Sequence, residues 1–521
     1  MSVSCCFQRF AGRTFEASIV LWIAATLTAA GQTATQVTIQ AKSADQFVGS
    51  MGVNVHMEST MKPYYEKKYL RINDRLQLLG MRHIRDEMNQ ADPCFNNRTF
   101  IEEIQKIGRL GYTLTGVIEG GNDYPGTCPE QLPEVLEADH VLPMILNLWP
   151  TIDSVEGPNE PDNPQPKFDY GKGRPRFRHY PLGAIHESRD LWQIVKHGTI
   201  PDCDEIKDCE KFKELPVLAM SEGNANHFAS LENDVKSGKI QPPGQYTSGG
   251  NMHAYQGGNR GDGTGGSSLA SYIRLSQKWT GHEPLWTTEM GYHNNTHYLA
   301  DGEQQGVSER AAAIYLPAAF LSGFNQGVVR SYSYELIDET KEAPLACLMT
   351  NNPGNPQCGG YGYYGLLHFD LTPKPAFTAL MNLIQILKEP ESNLEPGSLA
   401  IGFSADPGAK PYSPEYTLLE KSNGDYYLAI WNDISVYEIA TCKAWNQKNL
   451  CTRPVPGRDI PAEKVEVTIS FSLPESFTVY APNDASGANP TSAYTLSATT
   501  DSITIDLPPE VLIIRISSSG A

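Results

Sequence analysis

Apolar and polar positions follow two different rhythms along this chain. From residue 48 to residue 335, short apolar runs alternate with loops and with longer segments whose apolar residues recur three or four apart. The short runs are VGSMGVNVH (48–56), MRHIRDE (81–87), YTLTGVIEG (112–120), IDSVEGP (152–158), LPVLAMSEG (215–223), GGNMHAYQ (249–256), PLWTTEMGY (284–292) and GVVRSYSYE (327–335), which makes eight candidate strands. Between them, KYLRINDRLQLLG sets Leu70, Ile72, Leu76 and Leu79 near one helical face and stops at Gly80, a C-cap residue. TFIEEIQKIGRLG spaces Ile101, Ile104, Ile107 and Leu110 as a helix does, and SERAAAIYLPAAFLSGF precedes the last strand. FDLTPKPAFTALMNLIQILKE (369–389) reads as a closing helix with Pro373 and Pro375 near its start. Eight strand–helix units predict a parallel sheet closed into a (β/α)8 TIM barrel.

After PESNLEPGS the pattern changes to period two. YTLLEKSNGDYYLAIWND, KVEVTISFSL, FTVYAP, YTLSA, SITIDL and VLIIRIS are short alternating runs separated by Gly, Pro, Asn and Asp. They predict an antiparallel β-sandwich domain. The expected division is a leader at 1–30, a barrel at 31–391 and a sandwich at 392–521, with QVTIQA (36–41) offering the sandwich one more strand. The Pro- and Arg-rich stretch at 161–183 follows the fourth strand, so it is expected on the rim of the barrel's catalytic face.

Length and charge narrow the class. A chain of 521 residues suits two or three domains. A formal charge of −19 with no long basic run argues against nucleic acid as a partner. Arg9 and Arg13 precede the apolar stretch ASIVLWIAATLTAA (17–30), and Thr28-Ala29-Ala30 resembles a cleavage site. That predicts a signal peptide, a mature start near Gly31 and a secreted or periplasmic protein with no membrane association after cleavage. An uncleaved anchor is the alternative, although the stretch is shorter than the roughly 20 residues of a membrane span. Ten cysteines are present; Cys5 and Cys6 leave with the leader. The other eight fall near one another as Cys94 and Cys128, Cys203 and Cys209, Cys347 and Cys358, and Cys442 and Cys451. Local disulfides are expected, though spacing alone does not give the pairing. No pair has the spacing of a common zinc site and no cofactor loop is present, so neither metal nor cofactor is expected. Asn97 and Asn294 stand in glycosylation sequons, and nothing in the chain gives its oligomeric state.

The chemistry is read from the C-terminal strand ends, where active sites of such barrels lie. Glu119, Glu160, Glu222, Glu289 and Glu335 stand at or just beyond five of them. Glycoside hydrolysis needs two carboxyl groups flanking one bond, one protonated and one ionised. In DSVEGPNEPDN (153–163), Glu160 is either a turn residue before Pro161 or a catalytic acid.

Asn159-Glu160-Pro161 after the fourth strand, with WTTEMGYH carrying Glu289 after the seventh, resembles clan A of the glycoside hydrolases. GNMHAYQ on the sixth strand and Arg85 on the second resemble further signatures of that clan, and the C-terminal domain resembles its accessory sandwich. The resemblance implies a retaining enzyme acting on a poly- or oligosaccharide. Glu160 is then the general acid and base, with a raised pKa, and Glu289 the nucleophile. It further implies that Asn159 binds the sugar 2-hydroxyl, Arg85 keeps Glu289 ionised, Tyr255 bonds the nucleophile and His253 lines the subsite. Arg85 also has Asp86 and Glu87 as candidate salt-bridge partners, and His253 and Tyr255 share one strand face, as core residues do. Many clan members carry a Trp at the end of the eighth strand; here Tyr332 or Tyr334 has to substitute. Trp286 and Glu335 complete the expected sugar-binding set. A catalytically silent sugar-binding barrel and a transglycosylase of the same fold are the rival readings.

Overall fold

The computed structural model describes residues 35–57, 69–91, 97–118, 136, 138–162, 181–200, 206, 209–223, 225–261, 268–281, 284–297, 304–341, 361–444, 451–483 and 492–518. The leader, Glu119, residues 163–180 of the Pro- and Arg-rich stretch, and Cys94, Cys128, Cys203, Cys347 and Cys358 lie outside them.

Two short strands, β1 (Val37–Gln40) and β2 (Lys42–Ser43), lead into the first helix, α1 (Ala44–Gly49). Eight parallel strands follow: β3 (Met51–Asn54), β4 (His83–Glu87), β5 (Thr113–Val117), β6 (Ile152–Glu156), β7 (Val217–Leu218), β8 (Gly250–His253), β9 (Leu285–Met290) and β10 (Val328–Ser333). Their order is β7-β6-β5-β4-β3-β10-β9-β8, and a bridge between Leu218 and Gly249 joins the two ends. Each expected run contributes one strand of this barrel.

The helices between them are α2 (Tyr69–Leu79), α3 (Arg98–Arg109), α4 (Ala138–Leu148), α5 (Leu182–His197), α6 (Ala225–Lys236), α7 (Leu269–Thr280) and α8 (Glu309–Asn325), with α9 (Pro375–Leu387) closing the ring. Their ends follow local chemistry. Gly80, at φ +82°, ends α2 by donating its N–H to Leu76 O at 2.9 Å. Asn97, one of the two sequon residues, caps α3 by accepting the Phe100 N–H at 3.2 Å. The inward face of α3 is Phe100, Ile101, Ile104 and Ile107. Leu110 does not join it: it is the cap residue after the last turn and 44% exposed.

The C-terminal domain is one mixed eight-stranded sheet that folds over itself. Its strands are β11 (Ser398–Ala405), β12 (Pro414–Glu420), β13 (Tyr426–Asn432), β18 (Val465–Tyr480), β19 (Ser492–Leu507) and β20 (Leu512–Ser518). Four two-residue strands, β14 to β17 (437–438, 441–442, 454–455 and 458–459), form separate ladders. β1 pairs antiparallel with β11, as the sequence allowed, while β2 runs parallel to β12 and makes the sheet mixed. The register of β18 against β19 breaks between Ser470 and Glu475. The first half of β18 pairs with β11 and the second half with β20. Phe471, Phe477, Ile503, Ile514 and Leu428 fill the space enclosed.

The other face of this sheet covers the barrel. Leu419, Tyr427, Trp431 and Ile513 belong to the same apolar cluster as the helices α8 and α9. That explains α8, which is buried at every position from Ala311 to Gly323 rather than amphipathic. The Tyr315 hydroxyl of α8 accepts the Val436 N–H at 2.8 Å. Cys442 and Cys451 form a disulfide, and Cys209 is also disulfide-bonded. No helix among the described residues is long and apolar enough to cross a membrane.

Candidate active site

Arg85, on β4, organises the upper interior of the barrel. Its Nε and Nη2 donate to the two oxygens of Glu156, each at 2.8 Å. Nη1 donates to Asn54 Oδ1 and Glu289 Oε1, and Nη2 also donates to Asn159 Oδ1, all at 2.8 Å. All five N–H donors of the guanidinium are thereby used. Asp86 and Glu87, the alternative partners next to it in sequence, do not pair with it; Asp86 instead accepts the Met57 and Glu87 N–H groups. Burial alone would depress the charge on Arg85, but Glu156 and Glu289 more than reverse this. Glu156 is fully buried, which opposes ionisation, yet Arg85 and His253 hold its carboxyl down at about 2.

Glu289 reaches this network through a bulge. Both neighbours of β9 slip register at its end: Thr287 pairs with Met252 and Ser331, but Glu289 pairs with His253 and Met290 with Ser333. A bulge re-aims the side chains after it. Here Thr288 donates inward to Asn251 Oδ1 at 2.9 Å, and the next residue, Glu289, also turns inward. The Tyr255 hydroxyl donates to Glu289 Oε2 at 2.6 Å.

Glu160 follows β6 at φ +43°, the left-handed region that non-glycine residues rarely enter. Its N–H donates to Ser221 O at 3.0 Å, which ties the turn to the end of β7. Left-handed backbone of this kind costs on the order of 1–3 kcal/mol and concentrates at functional sites. Gly223 makes room for the carboxyl: a Cβ there would stand 3.0 Å from Glu160 Cδ and Oε1. Asn159 Oδ1 is taken by Arg85, which fixes the end of the amide that donates.

His253 bridges the two acids. Its Nδ1 lies 2.8 Å from Glu160 Oε1 and 3.4 Å from Glu289 Oε2, and Nε2 lies 3.8 Å from Glu156 Oε1. The ring is fully buried, which favours the neutral form, but the three carboxylates outweigh burial and raise it to about 10. One oxygen of Glu160, one of Glu289 and one nitrogen of His253 all lie within 4.8 Å of one another. The Glu160 side chain keeps 22% of its surface open to solvent; that of Glu289 keeps 9%.

Glu160, Glu289, Asn159, Arg85, His253 and Tyr255 thus meet at one end of the barrel. Glu335 ends the eighth unit in the same region, fully buried beside His56 and Glu339. Burial and the Glu339 charge push its carboxyl up to about 8 against the pull of His56. Two expected residues are elsewhere. Tyr332 is fully buried lower in the barrel, its hydroxyl 2.5 Å from Thr115 Oγ1, and Trp286 packs against it with Leu218. Both lie one level below the carboxylates, filling the barrel. Tyr334, the other candidate on that strand, packs edge-on to Tyr255, His56 and Tyr364.

The sequence reading missed Glu156 and Asn54, both bonded to Arg85. Glu156 had a signal: with Ser154 it takes alternate positions of one strand, so a carboxylate shares the inward face four residues before Glu160. Asn54 had none, because its role depends on Arg85 arriving from the next strand.

Known structures share this architecture. A family 39 glycoside hydrolase from the gut symbiont Bacteroides cellulosilyticus WH2 superposes with a TM-score of 0.51 over 91% of this chain and 82% of its own, at 13% identity. A glucosidase from Croceicoccus marinus gives a TM-score of 0.51 over 94% of this chain and 100% of its own, at 10% identity. At such identities the likeness is one of fold: the chain is a (β/α)8 barrel with an attached β domain, as those enzymes are. No sequence-family pattern and no curated protein matches the chain.

Proposed function

We propose that this protein is a secreted retaining β-glycoside hydrolase acting on a poly- or oligosaccharide. The observation that carries the reading is that one carboxyl oxygen of Glu160 and one of Glu289 lie within 4.8 Å of each other, beyond the C-terminal ends of their barrel strands. Retaining enzymes hold their two carboxyl groups about 5–5.5 Å apart, whereas inverting enzymes leave about 6.5–9.5 Å for a water. The fold shared with two glycosidases supports the same reading.

On this reading Glu289 attacks the anomeric carbon. Its lone pair forms the glycosyl–enzyme bond while the bond to the leaving oxygen breaks, and Glu160 gives that oxygen its proton. Water then attacks the same carbon, Glu160 takes its proton, and Glu289 leaves. Arg85 and Tyr255 both bond Glu289, which aims it. His253, in contact with Glu160 at 2.8 Å, positions that carboxyl. Asn159, oriented by Arg85, donates to the 2-hydroxyl. Export is supported by the Cys442–Cys451 disulfide, a bond typical of oxidising compartments.

Two variants test the roles. Glu289→Ala is expected to abolish turnover on every substrate. Glu160→Ala is expected to lose roughly 10²–10⁴-fold on natural glycans, to spare aryl glycosides with good leaving groups, and to yield a β-glycosyl azide when azide is added. Wild-type rates for Glu160→Ala on natural glycans would remove it from the mechanism.

A further inference from the structure

His56 lies just beyond β3, and Glu335 and Glu339 lie just beyond β10, its neighbour in the barrel. One donor atom from each stands within 4.8 Å of the other two. Glu335 is fully buried, and neither of its carboxyl oxygens has a hydrogen-bond partner among the described residues. His56 Nε2 comes to 3.3 Å from Glu335 Oε2. A buried carboxyl group with no hydrogen-bond donor is costly unless something else meets it.

Two other triads, each of one histidine and two carboxylates, behave differently. In Glu160–His253–Glu289, the imidazole and Glu160 meet at 2.8 Å in a hydrogen bond. In Asp162–Glu222–His227, Asp162 takes His227 Nδ1 at 2.6 Å and the Gly223 N–H at 3.0 Å. The His56–Glu335 contact has instead the spacing of two donors sharing an ion. Ligands about 2.0–2.1 Å from a tetrahedral zinc stand about 3.3–3.4 Å from each other.

We propose that His56, Glu335 and Glu339 bind a divalent transition-metal cation, of the zinc or manganese kind, on the catalytic face. An imidazole donor disfavours calcium and magnesium, which take oxygen ligands. Three protein donors leave a coordination position for water or, on the glycosidase reading, for a sugar hydroxyl. The Tyr334 ring stands between this triad and the catalytic one, its centroid 5.6 Å from that of His56 and 6.4 Å from that of Tyr255. The cation therefore sits beside the substrate and off the reacting carboxylates. The sequence shows no metal motif because the donors come from the first and last barrel strands.

Calorimetric titration of the untagged full chain, stripped with EDTA, tests this with zinc chloride, manganese chloride and calcium chloride. The expected result is one equivalent of zinc or manganese bound and far weaker calcium binding. His56→Ala and Glu339→Gln are expected to lose that binding, while Asp162→Asn, in the other triad, keeps it. Circular-dichroism melts of the metal-free variants separate lost ligands from lost folding. No zinc or manganese uptake by the stripped wild type, or unchanged uptake by both ligand variants, overturns the proposal. The readout is heat of binding, so its failure leaves the glycosidase reading standing, and failure of that reading leaves this one.

Discussion

Arg85 and Tyr332 both point into the barrel and both are buried, yet their surroundings are built on opposite terms. Arg85 spends five donors on Glu156, Glu289, Asn54 and Asn159. Tyr332 makes hydroxyl contacts with Thr115 and Arg330 and otherwise packs on Trp286 and Leu218. Gly52 completes that lower level, since a Cβ there would meet the Tyr332 ring at 2.5 Å. Packing and neutral hydrogen bonds would hold the upper level at lower energetic cost, because buried ion pairs rarely exceed their desolvation penalty. The upper level holds Arg85 and His253 against Glu156, Glu160 and Glu289, the charge that the proposed chemistry uses.

Removing Glu156 strikes that difference hardest. Glu156→Ala leaves Arg85 without its bidentate partner, a loss on the order of 3–5 kcal/mol for a broken buried pair. Thermal melts are expected to show it, and turnover is expected to fall because Asn159 and Glu289 hang from the same guanidinium.

A smaller effect is expected from pH. His253 rises from its ordinary 6.5 to about 10 among Glu156, Glu160 and Glu289, with Arg85 and the Tyr255 hydroxyl on the far side of those acids. Its contribution to stability is complete below pH 6.5 and is lost as pH climbs towards 10. Denaturant melts across that window are expected to show a decline that His253→Gln flattens. An equal decline in the variant would assign the loss to other groups.

The lower level yields the smallest change. Tyr332→Phe gives up a hydroxyl that meets Thr115 and accepts from the Arg330 guanidinium, about 1.5–3 kcal/mol, with kcat/KM unchanged. A large loss of activity from this substitution would erase the distinction between the two levels.

The same distinction shows how far the sequence could be read. Apolar runs of strand length located all eight barrel strands, because a parallel strand buried on both faces is marked by composition alone. The eighth run offers Tyr332 or Tyr334 in place of a Trp, but a place in the run does not give the height along the barrel axis. Trp286 fails for the same reason. Glu289 sits inward through a bulge that strict alternation does not predict, and the surrounding motif located it nonetheless. The sandwich is mixed because β2 arrives from the far end of the chain, a pairing no local pattern encodes.

The central claim is that Glu289 forms a covalent bond with the sugar. Mass spectrometry of a peptic digest, after incubation with activated 2-deoxy-2-fluoro β-glycosides, reads this directly. The account predicts one added fluoroglycosyl mass, carried by Glu289. The same mass on a different carboxylate would contradict it.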